Sequence, residues 1–212
     1  MVIVTFILAF WCSLVVSLVA FYLTSHWLRY LPILEVCFGI GPILISRRIG
    51  DELFLLRLLP IGCYVKHDDE NCGGTPPFWK STIVNLSACM FLFLLAATIH
   101  GFTEAANQLI SGFGQFVFGA LHPSTYGKDL IRDAAKYISS HSFVATFGTV
   151  AAKSSSHNLL PLPILNGGMV LLQGAKTVAH ISIERQQSIM IWSLFIYILM
   201  AILWLMAVYY AW

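Results

Sequence analysis

The chain has 212 residues, of which 58% are hydrophobic and only 10% charged, and its mean hydropathy is +0.79. Soluble domains carry roughly 25% charged residues, so a soluble globular domain of this length is excluded and the chain belongs in a bilayer. The net charge of +2 is spread over dispersed basic residues, with no basic run to suggest nucleic acid.

Four segments approach the roughly 20 apolar residues needed to cross a membrane. The first, Val2 to Leu23, holds no charge and ends near His26, Trp27 and Arg29. It is too long for a signal-peptide core and no small-residue cleavage site follows, so a retained anchor is expected. In the next loop, residues 36–66, Ile43 to Arg48 and Leu53 to Leu59 are apolar runs separated by Ile49-Gly50-Asp51-Glu52. Gly-Asp at the bend accepts positive φ and branched residues flank it, which predicts a β-hairpin. Its strands are too apolar for water, so it is expected to dip into the membrane face.

The second span, Ser81 to Ile99, follows the turn signal GGTPPFWK. Leu109 to Leu121 is too short to span and glycine-rich, and reads as a re-entrant or surface helix; Asp129 to Tyr137 reads as a short amphipathic helix. The third span, His141 to Leu165, contains Gly148, Lys153, three serines and two prolines. Such a segment is tolerated at membrane depth only where protein or water surrounds it, so it should be the interior one. The fourth, Ile189 to Trp212, ends in Tyr209, Tyr210 and Trp212, rings suited to a membrane interface. The predicted fold is an all-α membrane protein of about four transmembrane helices (2–23, 81–99, 141–165, 189–212). A membrane-associated β-hairpin lies between the first and second, in one polytopic domain over 1–212.

Arg29, Arg47, Arg48, Arg57, Lys66 and Lys80 fall in the first loop, and Lys153, Lys176 and Arg185 in or near the third. The second holds only Lys128, Arg132 and Lys136. This bias places the first and third loops in the cytoplasm and both termini outside. Cys12 and Cys89 lie in apolar runs as small hydrophobes. Cys63 and Cys72 are expected to stay unpaired, because their loop faces the reducing side.

Three stretches carry a resemblance. GIGPILISRRIGDELFLLRLLPIGCYVKHDDE (Gly39 to Glu70), PPFWKSTIVNLSACMFLFLLA and NLLPLPILNGG (Asn158 to Gly168) follow one another in the chain and cover about half of it. They resemble, in order, the membrane-associated β-loop, the next helix and the asparagine-proline-leucine-aspartate-glycine motif of the site-2 protease family, intramembrane zinc metalloproteases. That family binds zinc through a HExxH on its first helix and the motif aspartate. Two histidines one turn apart hold the metal, and the glutamate is the general base. No HExxH exists anywhere in this chain. Counting back from GIGP by the family's usual interval places the motif at Leu18-Val19-Ala20-Phe21-Tyr22, and Asn166 stands where the aspartate belongs. Zinc catalysis requires three protein ligands and a bound water acidified to a pKa of about 7. With Leu18, Val19, Tyr22 and Asn166 in those positions, no catalytic activity, metal or cofactor is expected, and the chain reads as a pseudoprotease.

The resemblance implies instead a subunit, scaffold or regulator of a membrane protein complex. Asn158, Pro161, Pro163, Gly167 and Gly168 would frame a groove for a partner's transmembrane segment. Prolines stop the helix, paired glycines allow close approach, and Asn158 bonds the freed carbonyls. The partners are integral membrane proteins and the lipid bilayer, not nucleic acid. A bacterial inner membrane is the expected location, with an organelle membrane as the alternative. Two other functions remain open: an active metalloprotease with an unconventional site built from His157, His180 or Glu184, and a transport-related subunit resting on Lys153.

Bland readings attach to the remaining polar groups. His157 is expected to be satisfied by a carbonyl, Ser154-Ser155-Ser156 to bond between helices, and His67-Asp68-Asp69-Glu70 to be a solvated loop. Lys153 is expected to be paired or to snorkel to the cytoplasmic surface. The forty residues between the second and third spans are too few for a PDZ domain, and GFGQFVFGAL is expected to pack on a neighbour.

Overall fold

A computed structural model describes residues 2–68, 76–179 and 181–212. Three of its helices are long and apolar enough to cross a membrane: α1 (Val2–Trp27), α2 (Phe78–His100) and α7 (Ile183–Ala211). α1 and α7 are apolar around their whole circumference and bury little of it, the pattern of a helix surrounded by lipid. α2 is the most enclosed of the three. Between α2 and α7 come α3 (Phe102–Leu121), a π-turn at Pro123–Gly127, α4 (Lys128–Ser140), α5 (Phe143–Asn158) and α6 (Asn166–Ala179).

Three expectations are adjusted here. The expected third span, 141–165, is a 16-residue helix followed by an irregular turn, about 24 Å long against a hydrocarbon core of about 30 Å. It stops because Pro161 and Pro163 supply no backbone donors. The expected short helix over 109–121 is the second half of α3, which starts after Gly101 (φ 85) and carries Thr103, Glu104, Asn107 and Gln108 in its first turns. The amphipathic helix expected over 129–137 runs from Lys128 to Ser140, buries no residue fully, and ties Arg132 Nε to the Ala211 carbonyl at 3.2 Å.

α5 packs on α1, α2 and α3 at once. Its contacts are made by small residues, which let backbones approach where lipid supplies no hydrophobic drive between helices. Leu92, Ala96, Ala105, Ala151 and Ala152 form the buried cluster. Ser155 Oγ donates to Cys89 O at 2.9 Å and Ser156 Oγ to Leu109 O at 2.8 Å. Lys153 has polar partners: its Nζ reaches Gln108 O at 2.9 Å and Ser111 Oγ at 2.7 Å. Leu92 is the largest fully buried side chain here. Leu92→Ala is expected to lower stability by about 2–5 kcal/mol, read as a drop in the thermal midpoint of detergent-solubilised protein.

The hairpin is present, longer and more folded than two short strands. β1 (Ile33–Ile49) and β2 (Glu52–His67) are joined by Gly50-Asp51, with Gly50 at φ 62, a primed turn suited to strand twist. Each strand bends back midway. Residues 35–38 pair with 53–56, whose numbers rise alongside, and with 63–66, whose numbers fall. Four segments therefore lie side by side. Gly39 (φ 92), Gly41 (φ 90) and Gly62 (φ 78) sit at the two bends, and a Cβ on Gly39 would come within 2.6 Å of Leu59 O.

One face of this sheet lies on α1. Phe54 meets the Tyr22 ring at 5.9 Å, Tyr22 donates to Glu52 Oε2 at 2.9 Å, and Cys63 Sγ donates to Leu14 O at 3.6 Å. The Gly50 turn thus sits beside Tyr22 near the end of α1, and the bends sit beside Leu14 at its middle. The separation is about 12 Å along the helix. His67 packs against Phe21 and Tyr30 rings and is no part of a free acidic run. Asp69, Glu70 and Cys72 lie outside the described residues.

Candidate functional site

Where α5 ends, the chain makes a compact turn. Leu160 N bonds His157 O, Leu162 N bonds Leu160 O at 2.8 Å, and Met169 N bonds Leu165 O at 2.9 Å as α6 begins. Asn158 Nδ2 donates back to Ser154 O at 3.1 Å, and Ile164 N reaches Ser193 Oγ of α7 at 3.4 Å. The paired glycines are required by space. A Cβ on Gly167 would lie 2.6 Å from Leu159 C, and one on Gly168 2.5 Å from Pro163 N.

This turn forms one wall of a groove of about 420 Å³. α1 supplies Ser13, Leu14, Ser17 and Leu18, α2 supplies Asn85, and the edge segment Gly62–Val65 closes the far side. Asn158, Pro163 and Asn166 line it, as does His157. Gly167 and Gly168 pack beneath the turn, and Pro161 is exposed outside the groove. His157 is gripped by the rings of Phe116 and Tyr197 at 4.9 and 5.6 Å. Its placement is aromatic, where a carbonyl partner was expected.

The α1 positions read from the sequence are split. Leu18 reaches the groove, Val19 is 47% exposed on the outer surface, and Tyr22 lies a turn beyond, bonded to Glu52. Several α1 residues spaced i,i+4 share the groove with Asn166, and the polar pair among them is Ser13 and Ser17, with Leu14 between them. Sequence reasoning missed them. Their signal was present: two serines one turn apart, the spacing of the histidines in HExxH, in an otherwise apolar helix.

The family model for peptidase family M50 matches residues 6–202. The chain belongs to peptidase family M50. This is the site-2 protease family, and the match covers α1 through most of α7, including the sheet. No curated protein matches the chain.

Whether this M50 chain can hold the family's zinc is a question of donors. Ser13 Oγ donates to Ala9 O at 3.0 Å and Ser17 Oγ to Ser13 O at 2.8 Å, so both hydroxyls are turned into their own helix. Leu14 has no lone pair. Asn85 Nδ2 is bonded to Ser81 O at 2.8 Å, and Asn166 offers a neutral amide. Structural and catalytic zinc take thiolate, imidazole and carboxylate, and this set does not fit. Among the described residues no three His, Cys, Asp or Glu come together. His180 lies outside the described residues, and Glu184 is exposed at the start of α7. The groove also holds one imidazole, His157, packed between rings, and one thiol, Cys63, which donates to Leu14 O. With no carboxylate beside them among the described residues, the arrangement offers mainly neutral hydroxyl and amide groups next to a strand edge.

Proposed function

We propose that this M50 chain is a non-catalytic, site-2-protease-like subunit or regulator that binds partner transmembrane segments in the groove between α1, the Asn158–Asn166 turn and the sheet edge. The observation that carries the reading is the pair Ser13 and Ser17, with Leu14, sharing that groove with Asn166. These four hold the places of the two histidines, the glutamate and the aspartate. None is an imidazole or a carboxylate. Loss of all ligands and of the base together leaves no path to an acidified zinc water, whereas the helix-breaking prolines and the close-packed glycines are intact.

On the same reading α5, the turn and α6 make the fourth pass, returning the chain so that both termini lie outside a bacterial inner membrane.

The test is purification from native membrane in mild detergent, with mass spectrometry of the accompanying proteins and zinc quantification on the same sample. Defined, stoichiometric membrane partners and no zinc are expected. About one zinc per chain, the ratio of a single catalytic site, would overturn the proposal, as would a chain that always purifies alone.

A further inference from the structure

Arg57 is placed unusually for a permanent cation. The sheet is anchored to α1 at two levels: Glu52 beside Tyr22, and Cys63 beside Leu14. Arg57 pairs with Ile43, one position beyond the row of Ile45, Leu56, Phe38 and Cys63. It therefore sits at or below Leu14, about 20 Å from the Trp27 end of a helix about 39 Å long. With α1 as a membrane-crossing helix, that level is its midpoint. A guanidinium does not lose its charge there.

Its direction is set by the pleat. Phe54 and Cys63 touch α1, so Leu55 and Arg57 point to the opposite face. The bonds agree. Arg57 Nε donates to Cys37 Sγ at 3.2 Å and Nη1 to Gly41 O at 2.9 Å, and Cys37 shares its row with Leu55 and Tyr64. These bonds satisfy a bend carbonyl that would otherwise meet lipid, which is the bland role of this side chain. Tyr64 also bonds Arg57, and a thiol, a carbonyl and a neutral phenol supply no direct counter-charge; the nearest carboxylate in this network is reached only through Tyr64. Among the described residues no carboxylate lies within 4.0 Å of Arg57, and the nearest row with one, Arg48–Leu53–Glu35–Lys66, lies toward the Gly50 turn. Glu35 there accepts from the Tyr64 hydroxyl. Arg48 and Lys66 stand in that row with Glu35.

We propose that the outward face of the sheet docks a partner transmembrane segment bearing an aspartate or glutamate near mid-membrane, and that this carboxylate pairs with Arg57. The inference rests on the reading of the chain as a partner-binding subunit and names the chemistry of that partner. Ionisable groups at membrane depth are rare and pair with one another, and a guanidinium fork matches a carboxylate through two parallel bonds. Lipid phosphate is the weaker candidate, because the two bonds that hold Arg57 at the bend keep it from reaching headgroup level.

The test uses the full chain in phosphatidylcholine nanodiscs and a fluorescent leucine-alanine peptide of about 20 residues with a central aspartate, or asparagine in its place. The aspartate peptide is expected to associate roughly tenfold more tightly with the native chain. Arg57→Gln should erase that preference, and Arg57→Lys should keep part of it by retaining charge without the fork. Equal association of the two peptides overturns the proposal, and because it is measured on the native chain it holds even if Arg57→Gln fails to fold. Loss of the preference on adding phosphatidylglycerol would assign the counter-charge to lipid and also overturn it. Zinc content reports separately on the non-catalytic reading, so either idea can fail alone.

Discussion

A quadruple variant with Ser13→His, Leu14→Glu, Ser17→His and Asn166→Asp is expected to bind about one zinc per chain, and the native protein is expected to bind none. Histidines at i,i+4 lie one above the other on a helix face, and Ser13 and Ser17 already face the groove that Asn166 lines. Changing the four residues would supply two imidazoles, a motif carboxylate and a base without moving the backbone. The groove of about 420 Å³ leaves room for the larger side chains. Zinc at a hundredfold excess over its dissociation constant should then stabilise the variant by about 2.7 kcal/mol, and the native chain not at all. Metal analysis after gel filtration, with a thermal scan with and without zinc, reads both effects. A folded quadruple variant that binds no zinc would show that Ser13, Ser17 and Asn166 do not occupy the ligand positions. A parallel variant changing Leu18, Val19 and Tyr22 instead is expected to stay metal-free, because Val19 and Tyr22 lie outside the groove.

Gly168→Val is expected to destabilise the protein by at least about 3 kcal/mol, the upper end for overpacking, and to scatter it on size-exclusion chromatography. The new Cβ would fall on the Leu162 carbonyl and 2.5 Å from Pro163 N. Both are backbone atoms of a turn held by its own hydrogen bonds and by Ser193, so nothing flexible can yield. Gly174→Ala is the control. Its Cβ meets only the Phe78 ring, at 3.4 and 3.5 Å, and alanine in a helix interior gains about 0.5–1 kcal/mol over glycine. If Gly168→Val melts with the native chain, the packing of the turn has been misjudged.

The turn was therefore visible in the sequence for a sound reason. Prolines and paired glycines constrain the backbone locally, and NLLPLPILNGG needs no distant partner to break α5 and restart α6. The Gly50-Asp51 bend is legible on the same grounds, and so are α1, α2 and α7, because about 20 apolar residues must be taken out of water whatever surrounds them. Absence of HExxH is likewise a property of the sequence alone.

What required the tertiary structure is everything that depends on facing. α1 is apolar nearly all round, and its one periodic signal, the small residues Ala9, Ser13, Ser17 and Ala20, marks a buried face without saying what that face meets. Counting from GIGP selected Leu18, Val19 and Tyr22, of which packing against α2, α5 and the sheet put only Leu18 in the groove, beside Ser13, Leu14 and Ser17. The fold-back of both strands was hidden for a similar reason. Gly39, Gly41 and Gly62 permit a bend but do not dictate it, and only pairing between distant segments turned two strands into four and carried Arg57 to the level of the middle of α1. The sequence by itself determined that this chain is a membrane protein with a broken interior segment and without the metal-binding motif. Tertiary packing alone decided which side chains meet across the groove, because in a helix apolar nearly all round only the neighbours decide what each face meets.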